Sequence, residues 1–150
     1  MITHPDFEEL LRLFEENDVH YLIVGGYAVA FHGYPRFTKD IDLFYEKSDQ
    51  NIAKIRQVLV DFGFSESDLP EDLFQEEGNI IKFGVEPVRI DLLNEIDGVS
   101  FQEAEAGSTR GQYGKTKARF IGRVELIANK RSSGRPQDIV DADKLENSPQ

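Results

Sequence analysis

The sequence contains no cysteine and no tryptophan, and it has a single methionine among its 150 residues. The absence of cysteine excludes disulfides, thiolate metal ligands and cysteine nucleophiles. The longest apolar run, Tyr21 to Phe31, has eleven residues and includes two glycines. A membrane-spanning helix needs about 20 residues, so none is predicted. The first ten residues carry acids where a secretory signal would carry lysines, and we therefore expect a cytoplasmic protein.

Positive charge is also scarce, because 17 basic side chains face 28 acidic ones and give a net charge of −11. The length fits one domain over residues 1–150, which is large enough to bury a core without disulfides or structural metal ions. Residues 106–135 are the exception to the acidity, with eight basic residues against one acidic residue. This basic block is either a solvated surface with a local bias or a contact face for phosphates.

The hydrophobic pattern mixes helices and strands. It predicts helices over 5–17, 27–32, 123–131 and 136–145 and one that begins after Ser48, with strands over 19–24, 39–45, 79–83 and 87–93. Residues 65–78 lack a clear period and predict a loop, with room for one helical turn. Residues 94–117 are ambiguous, apart from a short strand or turn near Gln112. Hairpin-length gaps between these elements predict an α/β (α+β) fold with a mixed β-sheet flanked by helices.

Three aspartates lie on predicted strands. Asp40 and Asp42 are two residues apart, so they point to the same side of their strand. Their carboxylates repel each other unless a cation lies between them, and oxygen ligands suit Mg²⁺ or Mn²⁺. Asp91 is flanked by apolar residues on a later strand, where an unpaired charge would be costly. If the two strands are adjacent, the three carboxylates form a site for divalent cations and phosphoryl transfer.

Each aspartate also has a simpler interpretation. A pair of aspartates two residues apart is common on exposed strand edges. Asp91 could form a salt bridge with Arg89 or Arg36. His20 and His32 have no partner at metal-ligand spacing in the sequence, and we expect both to be partly buried.

A pair of glycines, Gly25 and Gly26, lies between a predicted strand and a predicted helix. Glycine there lets the backbone approach a ligand and leaves amides free for an anion, although a tight turn alone would also explain the pair. The order of the features along the chain is more informative than the glycines alone. An apolar strand, the glycine pair and a short helix come first, and Asp40 follows the second glycine by fourteen residues.

The run from Val24 to Tyr45 resembles the signature of the nucleotidyltransferase superfamily of DNA polymerase beta type. The match is closest to small stand-alone prokaryotic members, including toxins of toxin–antitoxin pairs. It consists of Gly25, Gly26, Gly33, Arg36, Thr38, Asp40, Ile41, Asp42 and Leu43. The third carboxylate of that family matches Asp91, and a C-terminal lysine followed by Gly-Arg-x-x-Asp-x-x-Asp matches Lys130, Gly134, Arg135, Asp138 and Asp141.

The resemblance implies the fold of that superfamily and the transfer of a nucleoside monophosphate from a nucleoside triphosphate. Asp40, Asp42 and Asp91 would be catalytic and would hold Mg²⁺ or Mn²⁺. The resemblance assigns nucleotide binding to Gly25, Gly26, Arg36, Thr38 and Lys130. A surface position is the alternative for Lys130, and Thr38 would either donate its hydroxyl or only shape the loop. For Asp138 and Asp141 we favour a structural pairing with Arg135.

The resemblance does not identify the molecule whose hydroxyl accepts the nucleotide. The basic block would suit RNA, including tRNA ends, whereas proteins and small molecules are acceptors of other superfamily members. A cognate antitoxin or a second copy of the chain could supply substrate selection. A catalytically silent module that binds nucleotide or a partner is the alternative from another class of function, and three clustered carboxylates argue against it.

Overall fold

The computed structural model describes residues 3–34, 37–85 and 88–147, without the side chains of Val85 and Val88. Its helices are α1 (Pro5–Glu16), α2 (Gly25–Phe31), α3 (Asp49–Phe62), α4 (Glu71–Gln75), α5 (Phe101–Ala106), α6 (Arg123–Ser133) and α7 (Pro136–Glu146). Its strands are β1 (Tyr21–Val24), β2 (Asp40–Tyr45), β3 (Ile80–Val85), β4 (Val88–Leu93), β5 (Thr109–Tyr113) and β6 (Thr116–Phe120). In the part of the chain described, no helix has both the length and the apolar character to cross a membrane.

The strands form one mixed sheet in the order β3-β4-β2-β1-β6-β5. Strand β2 pairs antiparallel with β1 and parallel with β4, while β1 pairs parallel with β6. Two hairpins, β3-β4 and β5-β6, form the two edges. The predicted mixed sheet flanked by helices is thereby confirmed, and so is the adjacency of the two strands that carry aspartates.

Local sequence signals explain where the helices begin and what they bury. The apolar residues of α1 follow the spacing i, i+3, i+4, i+7, and all four are buried: Phe7, Leu10, Leu11 and Phe14. Ser48 precedes α3, and its side chain accepts a hydrogen bond from the backbone N–H of Asn51, as its predicted capping role requires.

The two faces of the sheet bury separate hydrophobic clusters. Side chains of α1 and α3 pack against Ile23 and Leu43 on one face. On the other face, residues of α5, α6 and α7 pack against Leu22 and Phe44. The alternation of side chains along a strand assigns neighbouring residues of β1 and β2 to opposite faces.

The ambiguous residues 94–117 fold into α5, β5 and the start of β6. Helix α5 begins with a capping box, in which Ser100 and Glu103 bond reciprocally to each other's backbone N–H. That spacing of serine and glutamate is visible in the sequence and is the signal that the periodicity analysis missed. The predicted loop over 65–78 is also wrong in part, because it contains a 3₁₀ turn at Glu66–Asp68 and helix α4.

Candidate active site

A row of four residues crosses the sheet at the end of β1. Val24 is the register partner of Asp42, Asp42 of Asp91, and Asp91 of Lys82. Residues directly opposite each other in neighbouring strands point to the same face. The sheet register therefore brings Asp42 and Asp91 side by side, as the adjacency of their strands predicts.

Asp40 joins these carboxylates through Arg89, its register partner on β4. An Arg89 Nη2 atom lies 2.7 Å from Asp40 Oδ2, and Arg89 Nε lies 3.1 Å from Asp91 Oδ1. The salt bridge that the sequence offers between Asp91 and Arg89 is thus present, and it coexists with the carboxylate cluster. The other oxygen, Asp40 Oδ1, is buried and has no hydrogen-bond partner within the described ranges. One guanidinium therefore contacts two of the three carboxylates, those of Asp40 and Asp91.

Burial and the neighbouring carboxylates change the pKa of Asp42. Its pKa rises from the ordinary value of 3.8 to about 7, because of burial first and then because of the charges of Asp91 and Asp40. Lys130 acts in the opposite direction and lowers the pKa of this group. A metal-free cluster with a carboxylate so reluctant to ionise favours a cation at this place.

Gly25 packs directly against this carboxylate. Its φ is +68°, and a Cβ built on it would collide with the carboxylate of Asp42. Both constraints require glycine at this position, where the backbone lies against the side chain of Asp42. Gly26 is buried within the first turn of α2. Both glycines line a cavity of about 630 Å³ together with Asp42 and Asp91.

The opposite wall of this cavity comes from α6, α7 and the turn between them. Lys130 is 6% exposed, and its Nζ lies 2.9 Å from Asp138 Oδ1 and 3.3 Å from Asp141 Oδ2. The surface alternative for Lys130 is therefore wrong. Arg135 Nε bonds to Asp138 Oδ2 at 3.0 Å, which confirms that structural pairing, whereas the ion-pair partner that we find for Asp141 is Lys130. Lys130, Arg135 and Asp138 all line the cavity.

Two predicted nucleotide-binding residues lie in the loop before β2. Arg36 lies outside the described residues. Thr38 donates its hydroxyl to the backbone carbonyl of Asp40 at 3.2 Å, a contact that shapes the start of β2.

The basic block does not form a single face. Arg131 pairs with Asp143 and Glu146, and Arg123 donates to the carbonyl of Leu145 at the end of α7. Lys130 and Arg135 line the cavity, and the other four cations of the block follow the β5-β6 hairpin at the edge of the sheet away from the carboxylates: Arg110, Lys115, Lys117 and Arg119.

Sequence reasoning missed two features that the fold brings together. Lys82 lines the cavity across from Asp91, and only the strand register could have placed it there. The expectation that His20 lacks a partner at metal-ligand spacing is wrong, because ligand atoms of His20, Glu46 and Glu105 lie within 4.8 Å of one another. Both features depend on residues that are distant in sequence.

The residues present at the cavity fit a divalent cation. Their carboxylate oxygens are the donors that Mg²⁺ and Mn²⁺ prefer. The orphaned Asp40 Oδ1 and the raised pKa of Asp42 both indicate an unmet demand for positive charge. Asp42 and Asp91 line the cavity and could hold such an ion. Asp40 is not among the lining residues, and within the described part of the chain the oxygens of the three aspartates do not all lie within 4.8 Å of one another, because Arg89 lies between Asp40 and Asp91.

Among solved structures, the chain is similar to the lincosamide antibiotic adenylyltransferase LnuA in its lincomycin-bound form. The TM-score is 0.57 at 19% sequence identity, and the match covers 97% of this chain and 98% of that one. This likeness supports the nucleotidyltransferase fold. No curated protein matches the sequence. A family model described as "Nucleotidyl transferase of unknown function (DUF2204)" matches residues 3–148. The chain therefore belongs to this family and is a nucleotidyltransferase.

Proposed function

We propose that this protein transfers a nucleoside monophosphate from a nucleoside triphosphate to a hydroxyl of an acceptor, with Mg²⁺ or Mn²⁺ bound by Asp40, Asp42 and Asp91. The observation that carries the proposal is the cluster of these carboxylates on two adjacent strands. Asp42 lies beside Gly25, and Asp42 and Asp91 share a cavity with Lys130. The family assignment supports nucleotidyl transfer, and the donor set supports the metal.

The proposed reaction is an in-line displacement at the α-phosphorus, to which several side chains of the site contribute. The acceptor oxygen attacks the α-phosphorus, the bond from that phosphorus to the bridging oxygen breaks, and pyrophosphate leaves. A bound divalent cation would supply the Lewis acid that polarises the α-phosphate and neutralises the leaving group. Asp91, only 6% exposed within the cavity wall, would accept the proton of the attacking hydroxyl.

Positive side chains around the cavity complete the assignment. Lys130 is held by two aspartates, so its ammonium group is oriented before a triphosphate binds. We assign Lys130 to the phosphates, together with the backbone N–H groups of Gly25 and Gly26. Arg36 and Thr38 keep the nucleotide-binding role that the family resemblance implies, as part of this proposal.

For the acceptor we favour a small molecule. The cavity of about 630 Å³ has to hold the triphosphate, and the acidic side chains of Glu95 and Asp97 that also line it would repel a second polyanion such as RNA. The solved structure of similar fold, which matches over 98% of its own length, is that of a lincosamide adenylyltransferase. That likeness supports a small acceptor and, for the donor, ATP.

RNA is the second candidate acceptor, and the exposed cations of the β5-β6 hairpin favour it. Arg110 and Lys117 are exposed on this edge of an otherwise acidic protein. An RNA bound there would have to reach across β1 to the carboxylates on β2 and β4. Binding to the hairpin would weaken steeply with salt, which gives the candidate its own signature. The toxin role and a cognate antitoxin stay predictions of the sequence resemblance.

The test is an acceptor screen with the purified chain. Each of the four α-³²P-labelled nucleoside triphosphates is incubated with Mg²⁺ or Mn²⁺ and one acceptor class: small polyhydroxy compounds including lincomycin, total RNA, or total protein. Label on a small molecule supports the favoured acceptor, and label on RNA or protein supports the alternatives. Asp42→Asn and Asp91→Asn are expected to abolish every transfer. Tight binding of triphosphate with transfer to no class would support a silent binding module instead.

A further inference from the structure

A second group of candidate metal ligands lies at the opposite end of the strands from the catalytic carboxylates. His20 precedes β1 and Glu46 follows β2, and the backbone N–H of Glu46 donates to the carbonyl of His20 at 3.2 Å. This bond extends the β1-β2 ladder by one position beyond Tyr21 and Tyr45. Val24, the partner of Asp42, is four residues further along β1, at a distance of about 13 Å. The two groups are therefore separate sites.

Alternation along the strands explains why the third ligand comes from α5. Tyr21 and Tyr45 point into one hydrophobic cluster, so His20 and Glu46 face the other side of the sheet, where α5 packs. Phe101 of α5 contacts the ring of Phe44, with 5.2 Å between centroids. Glu105 is four residues after Phe101 and therefore lies on the same face of the helix, above the end of the ladder.

The three ligand atoms already lie close together. His20 Nδ1 is 2.7 Å from Glu105 Oε2, and one ligand atom from each of the three residues lies within 4.8 Å of the others. Two ligands of a tetrahedral zinc ion are about 3.4 Å apart, so an ion requires a displacement of less than about 1 Å between these two atoms. The side chains are half-buried, and Glu46 also lines a surface cavity of about 430 Å³ that gives an ion access.

The backbone that holds these ligands is fixed by a buried amide. Asn51 is 2% exposed, and it bonds to both the N–H and the carbonyl of His20, at 2.7 and 2.9 Å. The same amide donates to the carbonyl of Glu46 at 2.8 Å, and Ser48 donates to Glu46 Oε1 at 3.0 Å. Ligands oriented in this way lose little freedom when an ion binds.

The group carries excess negative charge, which a bound cation would neutralise. Two carboxylates face one imidazole, and the ion pairs formed among residues 3–34, 37–85 and 88–147 include no lysine or arginine partner of Glu46 or Glu105. An imidazole with two carboxylates suits a borderline cation such as Zn²⁺ better than Mg²⁺.

We propose that His20, Glu46 and Glu105 form a structural site for a divalent transition-metal ion of the Zn²⁺ class, which joins α5 to the end of the β1-β2 ladder. The ion replaces the hydrogen bond between His20 Nδ1 and Glu105 Oε2, and solvent completes its coordination. The site stabilises the native state by mass action and takes no part in nucleotidyl transfer.

The test is calorimetric titration of the full-length, chelator-treated chain with Zn²⁺ in the absence of nucleotide. The double variant Asp40→Asn/Asp42→Asn removes two of the three catalytic carboxylates and is expected to keep one Zn²⁺ per chain. Adding His20→Gln to it should weaken binding at least tenfold, and adding Glu105→Gln should do the same. His4→Gln is the matched control, since its side chain can still accept the N–H of Asp6. This control should leave the affinity unchanged.

Thermal unfolding gives a second readout that does not depend on activity. Zn²⁺ should raise the melting temperature of the double variant and leave that of its His20→Gln derivative unmoved, after circular dichroism has shown that both are folded. The proposal is overturned if the double variant binds no Zn²⁺, or if its binding survives both ligand substitutions. Neither outcome would bear on the catalytic assignment.

Discussion

Replacing Asp42 by asparagine should stabilise the metal-free protein although it removes a catalytic residue. Burial and two neighbouring carboxylates raise the pKa of Asp42 from 3.8 to about 7. The folded protein therefore binds this proton more tightly than the unfolded chain does, and stability falls as the pH rises from about 4 to about 7. One pKa unit corresponds to about 1.4 kcal/mol, which sets an upper bound of about 4 kcal/mol for ionised Asp42.

Solvent screens a half-buried carboxylate, so we expect less than this bound. Asp42→Asn should gain about 1–2 kcal/mol at pH 8 in the presence of a chelator, or about 2–8 °C in melting temperature. The assay is thermal unfolding of both proteins at pH 8 and at pH 5. At pH 5 the folded wild-type protein keeps this proton while the unfolded chain has largely lost it, so the difference should be less than half of that at pH 8.

At pH 8, addition of Mg²⁺ should make the wild-type protein more stable than Asp42→Asn. The ion stabilises wild-type protein by mass action, whereas Asp42→Asn lacks a ligand and should respond weakly. The reasoning is refuted if the variant is no more stable than wild type at pH 8 without metal, or if the difference is as large at pH 5.

Three further predictions test other parts of the site. Gly25→Ala should cost at least 2 kcal/mol more in denaturant-induced unfolding than Gly134→Ala, because both glycines have a φ near +69° but a Cβ at Gly134 meets nothing within 4 Å; equal losses would contradict the close approach to Asp42. Lys130→Met should cost about 3 kcal/mol because it removes the buried cation that contacts Asp138 and Asp141, and Asp141→Asn in that background should restore part of the loss; additive losses in the double-mutant cycle would disprove the coupling. Mg²⁺ affinity, measured by calorimetry, should rise with pH through about 7 as Asp42 loses its proton, and a flat profile between pH 6 and pH 8 would argue against Asp42 as a ligand.

Those parts of the fold that depend on local patterns could be predicted from the sequence. The apolar stripe of α1 and the alternation of β2 each place their own residues, because a helix face and a strand face repeat within a few positions. The capping serine before α3 acts at a spacing of three residues. Signals of this kind need no knowledge of the rest of the chain.

The arrangement of the site depends on the order of the strands, which no local pattern contains. The sequence indicates that Asp42 and Asp91 would meet if their strands were adjacent, and the parallel pairing of β2 with β4 supplies that condition. Lys82 entered the cavity only through the register of β3 with β4. The burial of Lys130 follows from the packing of α7 against α6, which brings Asp138 and Asp141 to it.

The central claim is that Asp40, Asp42 and Asp91 converge on a shared divalent cation. The most direct measurement is a crystal structure of the wild-type chain with Mn²⁺ and a non-hydrolysable ATP analogue, with the ion located by its anomalous scattering. We predict an anomalous peak within coordination distance of all three carboxylates, with Arg89 displaced from between Asp40 and Asp91. A bound triphosphate with no peak there, and with the Arg89 ion pairs intact, would contradict the account.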